Sequence, residues 1–320
     1  MLKIVVGDPH AQSSNLEEMN LLMDRIDQEA ASSDVDSVIF LGDLFDTHNV
    51  LRLEVVNFWQ KRLEQLAKIK KVIVLVGNHD QKNNESDEWV LSSLCVVENI
   101  HNLTVINKPT VIDGWAYIPH TSSNDKFVKT ANELLSQSSV LVCHQTFNGS
   151  QYDNGFFAPN GIEPESVSGY KKVIAGHIHK FQEFSNITYV GSPRWMSISD
   201  ANQDKGIWKT DGTAFHMISS GDVLPRVVQI DLAEGEDLNC ELSKKDKNYI
   251  VLTGTSSWIG KTAKKYKDLA RIIPKPTDTK VRNQSERSKI TVFETYLKSF
   301  IAEKNKKLDF DDVLGYINKL

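Results

Sequence analysis

Cysteine is scarce. Three residues, Cys95, Cys143 and Cys240, are scattered through 320, and no two stand in a CxxC spacing. That argues against both a disulfide framework and a thiolate zinc site. Cys143 lies in the apolar run Val140-Leu141-Val142-Cys143 and reads as a small buried hydrophobe. Nowhere do about 18 apolar residues run together, and the first residues lack a basic segment leading into an apolar stretch and cleavage site. A soluble cytoplasmic protein is the expectation. There is no internal repeat and no low-complexity segment. With 40% apolar and 25% charged residues, the composition suits a globular chain of one large domain plus one or two smaller additions.

Positive charge is thin in the first 240 residues, where 19 Lys and Arg face 32 Asp and Glu. The balance reverses over 241–310, with 17 against 8. An acidic body fits cation binding, although most of those carboxylates belong to solvated surface. A basic C-terminal segment fits nucleic acid or an acidic partner equally with a merely solvated surface.

Short β-branched runs at 3–7, 37–42, 71–77, 140–144 and 171–176 stand among longer stretches. Between the first three, residues 16–30 and 50–68 repeat apolar side chains at steps of three and four, the period of a helix. Strand, helix and strand at this spacing predict βαβ units around a largely parallel, buried sheet. Further runs at 104–106, 115–118, 187–190, 206–210, 214–218 and 226–230 read as hairpins and meanders. The expected fold is α/β, with a mixed sheet or two sheets stacked face to face and helices outside. Beyond about 230, strand-like 248–253 and 270–273 flank a polar connection, giving a small appended α/β domain over 231–285. In 286–320, Val292, Phe293, Tyr296, Leu297, Phe300 and Ile301 form one helical stripe, and Phe310, Val313, Leu314 and Ile317 another.

Five motifs close the five main runs: Asp8-Pro9-His10, Gly42-Asp43-Leu44-Phe45-Asp46, Gly77-Asn78-His79-Asp80, His144, and Gly176-His177-Ile178-His179. Carboxyl ends of strands are where open α/β sheets gather ligands, because the loops converge there. Each motif alone is weak, since Asp-x-His is more often a turn and a lone His a satisfied core residue. Five ends closing in Asp, Asn or His, with five of the nine histidines among them, are poorly explained by packing. Carboxylate and amide oxygens mixed with imidazoles suit manganese, iron or zinc in octahedral-like coordination. Asp43 is the natural bridge of a two-ion site. His79 stands beside a ligand without being needed as one, free to give a proton to a leaving oxygen.

The set resembles the calcineurin-like metallophosphoesterase superfamily, over roughly residues 1–230. The resemblance implies a double β-sandwich flanked by helices. It also implies one metal held by Asp8, His10, Asp43 and His179, a second by Asp43, Asn78, His144 and His177, and His79 as the catalytic histidine. Within the superfamily the chain is similar to the SbcD-type DNA exonuclease subunits of bacteria and phage, through Gly42-Asp43-Leu44-Phe45-Asp46-Thr47 and through Tyr189-Val190-Gly191-Ser192-Pro193 followed by Asp204-Lys205-Gly206-Ile207-Trp208. That likeness implies a manganese-dependent 3′-to-5′ exonuclease and single-strand endonuclease in DNA recombination, repair or replication. It implies a capping domain (231–285) that contacts DNA and a tail (286–320) that grips an SbcC-like coiled-coil ATPase. A homodimer is also implied, with 50–68 and 89–97 as candidate contacts. Archaeal and eukaryotic relatives carry His where Asp46 stands, which leaves two roles open for Asp46, support of the exonuclease geometry or orientation of His10. His48 is read as a surface-loop residue. The competing reading is another phosphoesterase of the same body, a protein phosphatase, cyclic-nucleotide phosphodiesterase or nucleotide pyrophosphatase.

Overall fold

The structure, a computed structural model, describes residues 2–48, 50–82 and 92–278. The described residues divide into two compact units, one within 2–229 together with 242–248, the other within 230–241 together with 249–278.

The larger unit is built on two six-stranded sheets. The first contains β1 (Leu2–Val6), β2 (Val35–Phe40), β3 (Lys71–Leu75) and β4 (Leu103–Ile106), parallel and adjacent. The second contains β5 (Thr110–Ile112), β6 (Trp115–Ile118), β7 (Val140–His144), β8 (Lys172–Gly176), β9 (Gln182–Phe184) and β10 (Ile187–Tyr189), in the order β5-β6-β7-β8-β10-β9. Its four central strands are parallel, and β5 and β9 pair antiparallel at the edges. The first sheet is completed by the antiparallel pair β11 (Gly206–Thr210) and β12 (Phe215–Ser219), with β11 beside β1. Residues 104–106, expected in a hairpin or meander, instead lie in β4 as a parallel partner of β3, whereas Trp115–Ile118 does form the expected hairpin, with β5, and is in addition a parallel partner of β7.

Alternation along the strands sorts the core. Val5, Ile39, Ile73 and Ile106 of the first sheet pack against Tyr117, Val142 and Ile174 of the second, so the sheets share one buried layer. The opposite faces are covered by helices. On the first sheet these are α1 (Leu16–Ala30) and α2 (Leu53–Ile69), with Trp59 against Phe40 at 6.0 Å between ring centroids. On the second it is α3 (Asn124–Leu134), whose Phe127 and Ala131 join Ile118, Leu141 and Ala175. The apolar stripe of α2 (Val55, Phe58, Trp59, Leu63, Leu66) is buried in this unit. Of the second candidate dimer segment, only residues from 92 on are described, and Ser93–Val96 is a single 3-10 turn.

A three-stranded sheet, β13 (Val227–Ala233), β14 (Lys247–Gly254) and β15 (Arg271–Pro276), makes up most of the smaller unit, with α4 (Ser256–Tyr266) between the last two strands. β14 and β15 are parallel, as a strand–helix–strand crossover requires. Pro274 and Pro276 on β15 sit on a sheet edge, where a missing N–H is tolerated. The expected tail over 286–320, and 279–285 of the expected capping domain, lie outside the described residues. No helix among the described residues is long and apolar enough to cross a membrane.

Candidate metal centre

Strand register brings the motifs level. Val6 pairs with Phe40 and Phe40 with Val74, so β1, β2 and β3 end side by side. His144 pairs with Gly176 in the other sheet. The two sheet edges meet where His144 Nδ1 donates to the Leu41 carbonyl at 2.8 Å. All seven expected ligands and His79 are brought to this edge.

Their atoms form two clusters around one oxygen. Asp43 Oδ2 lies 3.6 Å from His10 Nε2, which is 3.1 Å from His179 Nε2. The same Oδ2 lies 3.3 Å from His144 Nε2, which is 2.9 Å from Asn78 Oδ1, itself 2.8 Å from His177 Nδ1. Donors about 2.1 Å from one octahedral ion stand about 3 Å apart along each polyhedron edge, and these separations match. Asp8 Oδ1 accepts from the His177 amide at 2.9 Å and lies 3.5 Å from His144 Nδ1.

Three observations show that the residues fit divalent cations. Asp8 and Asp43 are almost wholly buried, and no Lys or Arg pairs with either among the described residues. A buried carboxylate without a cation is costly. Asp8 Oδ2 is buried with no hydrogen-bond donor. His144, with Nδ1–H committed to a carbonyl, turns Nε2 toward Asn78 Oδ1 and Asp43 Oδ2; against the pull of burial, Asp43 and Asp8 raise it to about 9, so the acceptors here demand a positive charge that a proton supplies when no ion does. The titration behaviour divides the ligands: against burial, Asp46 and Asp43 raise His10, which like His144 would release a proton on taking an ion. Burial alone would raise Asp43, yet His144, His10 and His79 hold it well below the usual carboxylate range. Burial drives His179 down to about 4 and His177 well below its ordinary value, which keeps both rings neutral as ligands must be.

The loops are shaped for close approach. His10, Asp43 and His177 have φ of 48°, 52° and 86°. Left-handed backbone in non-glycine residues is costly and collects at functional sites. A Cβ on Gly77 would stand 2.2 Å from Asp43 Oδ1, so no side chain fits where the second and third motifs touch.

Residues to which the sequence assigned no role, Asp80 and Lys205 within quoted motifs and Arg194 outside them, hold this arrangement. Asp80, fully buried, accepts from the amides of Asp43 (2.8 Å), Gly77 (3.0 Å) and Phe45 (3.3 Å), clamping two motif loops to one carboxylate. Burial, then the charge of Asp43, raises it to about 7. Lys205 donates to the His179 carbonyl at 2.8 Å and is paired with Asp200 and Asp153. Arg194, 4% exposed, donates through Nε to the Pro9 carbonyl (2.9 Å), through one terminal nitrogen to the His10 carbonyl (3.2 Å), and through the other to Glu18 (3.2 Å). Arg194→Ala is expected to weaken manganese binding by about 10–100-fold, the usual scale for groups that orient ligands. Arg194→Lys should not restore it, because an ammonium cannot reproduce the fork. A manganese titration with an unchanged midpoint in both variants would refute the role.

Asp46 is placed as a support: its Oδ1 is 3.5 Å from His10 Nδ1 and its carbonyl accepts from His79 Nδ1 at 2.7 Å. His48 is not a free surface residue. Its ring stacks on His79 at 4.4 Å, and its Nδ1 lies 3.0 Å from the Asn78 carbonyl.

Comparison with known proteins agrees with this geometry. The family described as calcineurin-like phosphoesterase matches residues 1–181. The chain is similar to "Exonuclease subunit 1" of Enterobacteria phage T4, 28% identical over 53% of this chain and 51% of that protein. It is similar to "Putative phosphoesterase 244L" of Invertebrate iridescent virus 6, 27% identical over 59% and 68%. It is also similar to the SbcD subunit of the SbcCD nuclease of Staphylococcus saprophyticus, 23% identical over 60% and 59%. The chain therefore spans about half to two thirds of these relatives' length.

Proposed function

Because the chain belongs to the calcineurin-like phosphoesterase family and is a metal-dependent hydrolase, we propose that it is a two-metal nuclease acting on DNA phosphodiester bonds. The observation that carries the reading is the pair of donor clusters sharing Asp43 Oδ2. Asp8, His10, Asp43 and His179 would hold one ion, and Asp43, Asn78, His144 and His177 the other, manganese by preference for this mixed oxygen and imidazole set. When bound, the two ions supply a nucleophile at neutral pH and neutralise phosphate charge.

The chain's own residues do the rest. Asp80 and Arg194 fix the loops from beneath. The Asp46 carbonyl holds His79 Nδ1–H, and a ring nitrogen of His79 lies within 4.8 Å of donor atoms of His10 and Asp43. There His79 can donate a proton to the departing oxygen.

Two relatives named as nuclease subunits support a nucleic-acid substrate and a partner subunit; DNA, 3′-to-5′ exonuclease and single-strand endonuclease activity, and work with an SbcC-like ATPase in recombination, repair or replication are part of the same proposal. The basic 241–310 segment supplies charge for a phosphate backbone. A homodimer and a cytoplasmic location belong to the same proposal. The test is a panel of labelled duplex DNA, single-stranded DNA, a phosphopeptide and a nitrophenyl phosphodiester, each with manganese. DNA cleavage abolished by chelation is expected. Phosphopeptide turnover without DNA cleavage would move the protein to the phosphatase reading.

A further inference from the structure

Phe156 and Phe157 are 72% and 67% exposed. Burying such a ring is strongly favourable, so two adjacent rings left in water on a fixed element call for a ligand. The element is fixed. Gln151 and Phe157 form a bridge, the Tyr152 amide donates to the Phe156 carbonyl at 2.9 Å, and the Gly155 amide returns to the Tyr152 carbonyl at 2.9 Å, closing a tight hairpin.

That hairpin is strapped to the segment that follows His179, one of the candidate ligands. It lies on the loop leaving β7 just beyond His144, and its base is bound by the segment just beyond His179. Lys180 Nζ donates to Gln151 Oε1 at 3.0 Å, Gln182 Nε2 donates to the Gln151 carbonyl at 2.8 Å, and the Gln151 amide donates to Gln182 Oε1 at 2.8 Å. Asp153, the hairpin's one acidic residue, is 3.4 Å from Lys205, the lysine that holds the His179 carbonyl. The acidic charge is thus compensated, and the tip offers two flat apolar faces.

We infer that Phe156 and Phe157 form a stacking platform for the unpaired nucleobases of a polynucleotide entering the metal centre. This rests on the nucleic-acid reading above and specifies where its bases go. Exposed aromatic rings on a segment tied to a ligand-bearing loop suit single strands, which such rings bind without sequence preference because every base has a π-face. A protein partner fits less well, because the tip carries two rings and no helical apolar stripe.

The experiment compares kcat/KM, with manganese, for a single-stranded oligonucleotide and the same backbone with consecutive abasic sites. The wild type should favour the base-bearing strand by about tenfold or more, the size of one base–aromatic stack. In Phe156→Ala/Phe157→Ala that ratio should fall to about one through KM, and in Phe156→Trp/Phe157→Trp it should be retained. A wild-type ratio of one, or a ratio unchanged in the alanine variant, overturns the platform and leaves the nuclease reading standing. A wild type that hydrolyses a nitrophenyl diester but neither strand overturns both. An alanine variant that changes only the sedimentation behaviour of the protein assigns the hairpin to a protein contact and overturns the platform.

Discussion

Replacing Asp43 with Asn should remove the capacity for two metal ions and lower phosphodiester hydrolysis by roughly 10³-fold or more, the several kcal/mol that paired ions contribute to a phosphoryl transition state. The size follows from position. Asp43 Oδ2 stands within 3.6 Å of a donor from each cluster, and among the described residues no other carboxylate oxygen pairs with both His10 and His144. Asn keeps the shape, including an oxygen to accept the His79 amide that Oδ1 now receives at 2.8 Å. It lacks the charge and cannot serve two ions as a carboxylate can. Metal content by inductively coupled plasma mass spectrometry should drop from two per chain to one or fewer. The thermal midpoint of the wild type should climb with manganese by linkage, and that of the variant much less. Retention of two ions with near wild-type turnover would show that Asp43 is not the bridge.

Much of this centre was legible because its ligands end recognisable strands. Asp8, Asp43, Asn78, His144 and His177 each follow a β-branched run closed by a loop, and the helix at Leu16–Ala30 announces itself by buried Met19, Leu22, Met23 and Ile26 at helical steps. α3 escaped because its sequence is mostly polar: only Phe127 and Ala131 are buried, and the Ser123 cap, which accepts from the Lys126 amide, is a weak signal alone. α4 hid in the same way, with Ile259 and Tyr266 its only buried side chains. The parallel pairing of β4 and β6 could not be read because parallel and antiparallel strands of four residues look alike in sequence. The roles of Asp80, Arg194 and Lys205 were illegible for a different reason. Each acts on backbone atoms of loops that are distant in sequence or set by turn geometry, and a backbone acceptor leaves no residue type to recognise. Arg194 reaches Pro9 and His10 across some 185 positions.

His79→Gln separates chemistry from assembly. Gln can still donate to the Asp46 carbonyl, which His79 Nδ1 meets at 2.7 Å, and its backbone amide still reaches Asp43 Oδ1, so the third motif's loop should stay in place. What is lost is a ring that can carry a transferable proton next to the two clusters, and general acid catalysis of this kind contributes about 10²–10⁴-fold. The expected result is a fall of that size in kcat, with two ions bound and KM for DNA little changed. The loss should be concentrated on substrates with a poor leaving group. A nitrophenolate departs without protonation, so a nitrophenyl diester should suffer far less than an alkoxide-leaving DNA linkage. Burial, offset in part by Asp43, holds the His79 pKa below its ordinary value, so the acid form is the minority species at neutral pH and its share rises as pH falls. If His79 is the acid, the wild-type kcat on DNA should therefore lose a dependence on a group titrating below about 6.5 when Gln replaces it. Equal losses on both leaving groups, or a loss tracking reduced metal content, would assign His79 to holding the ions instead.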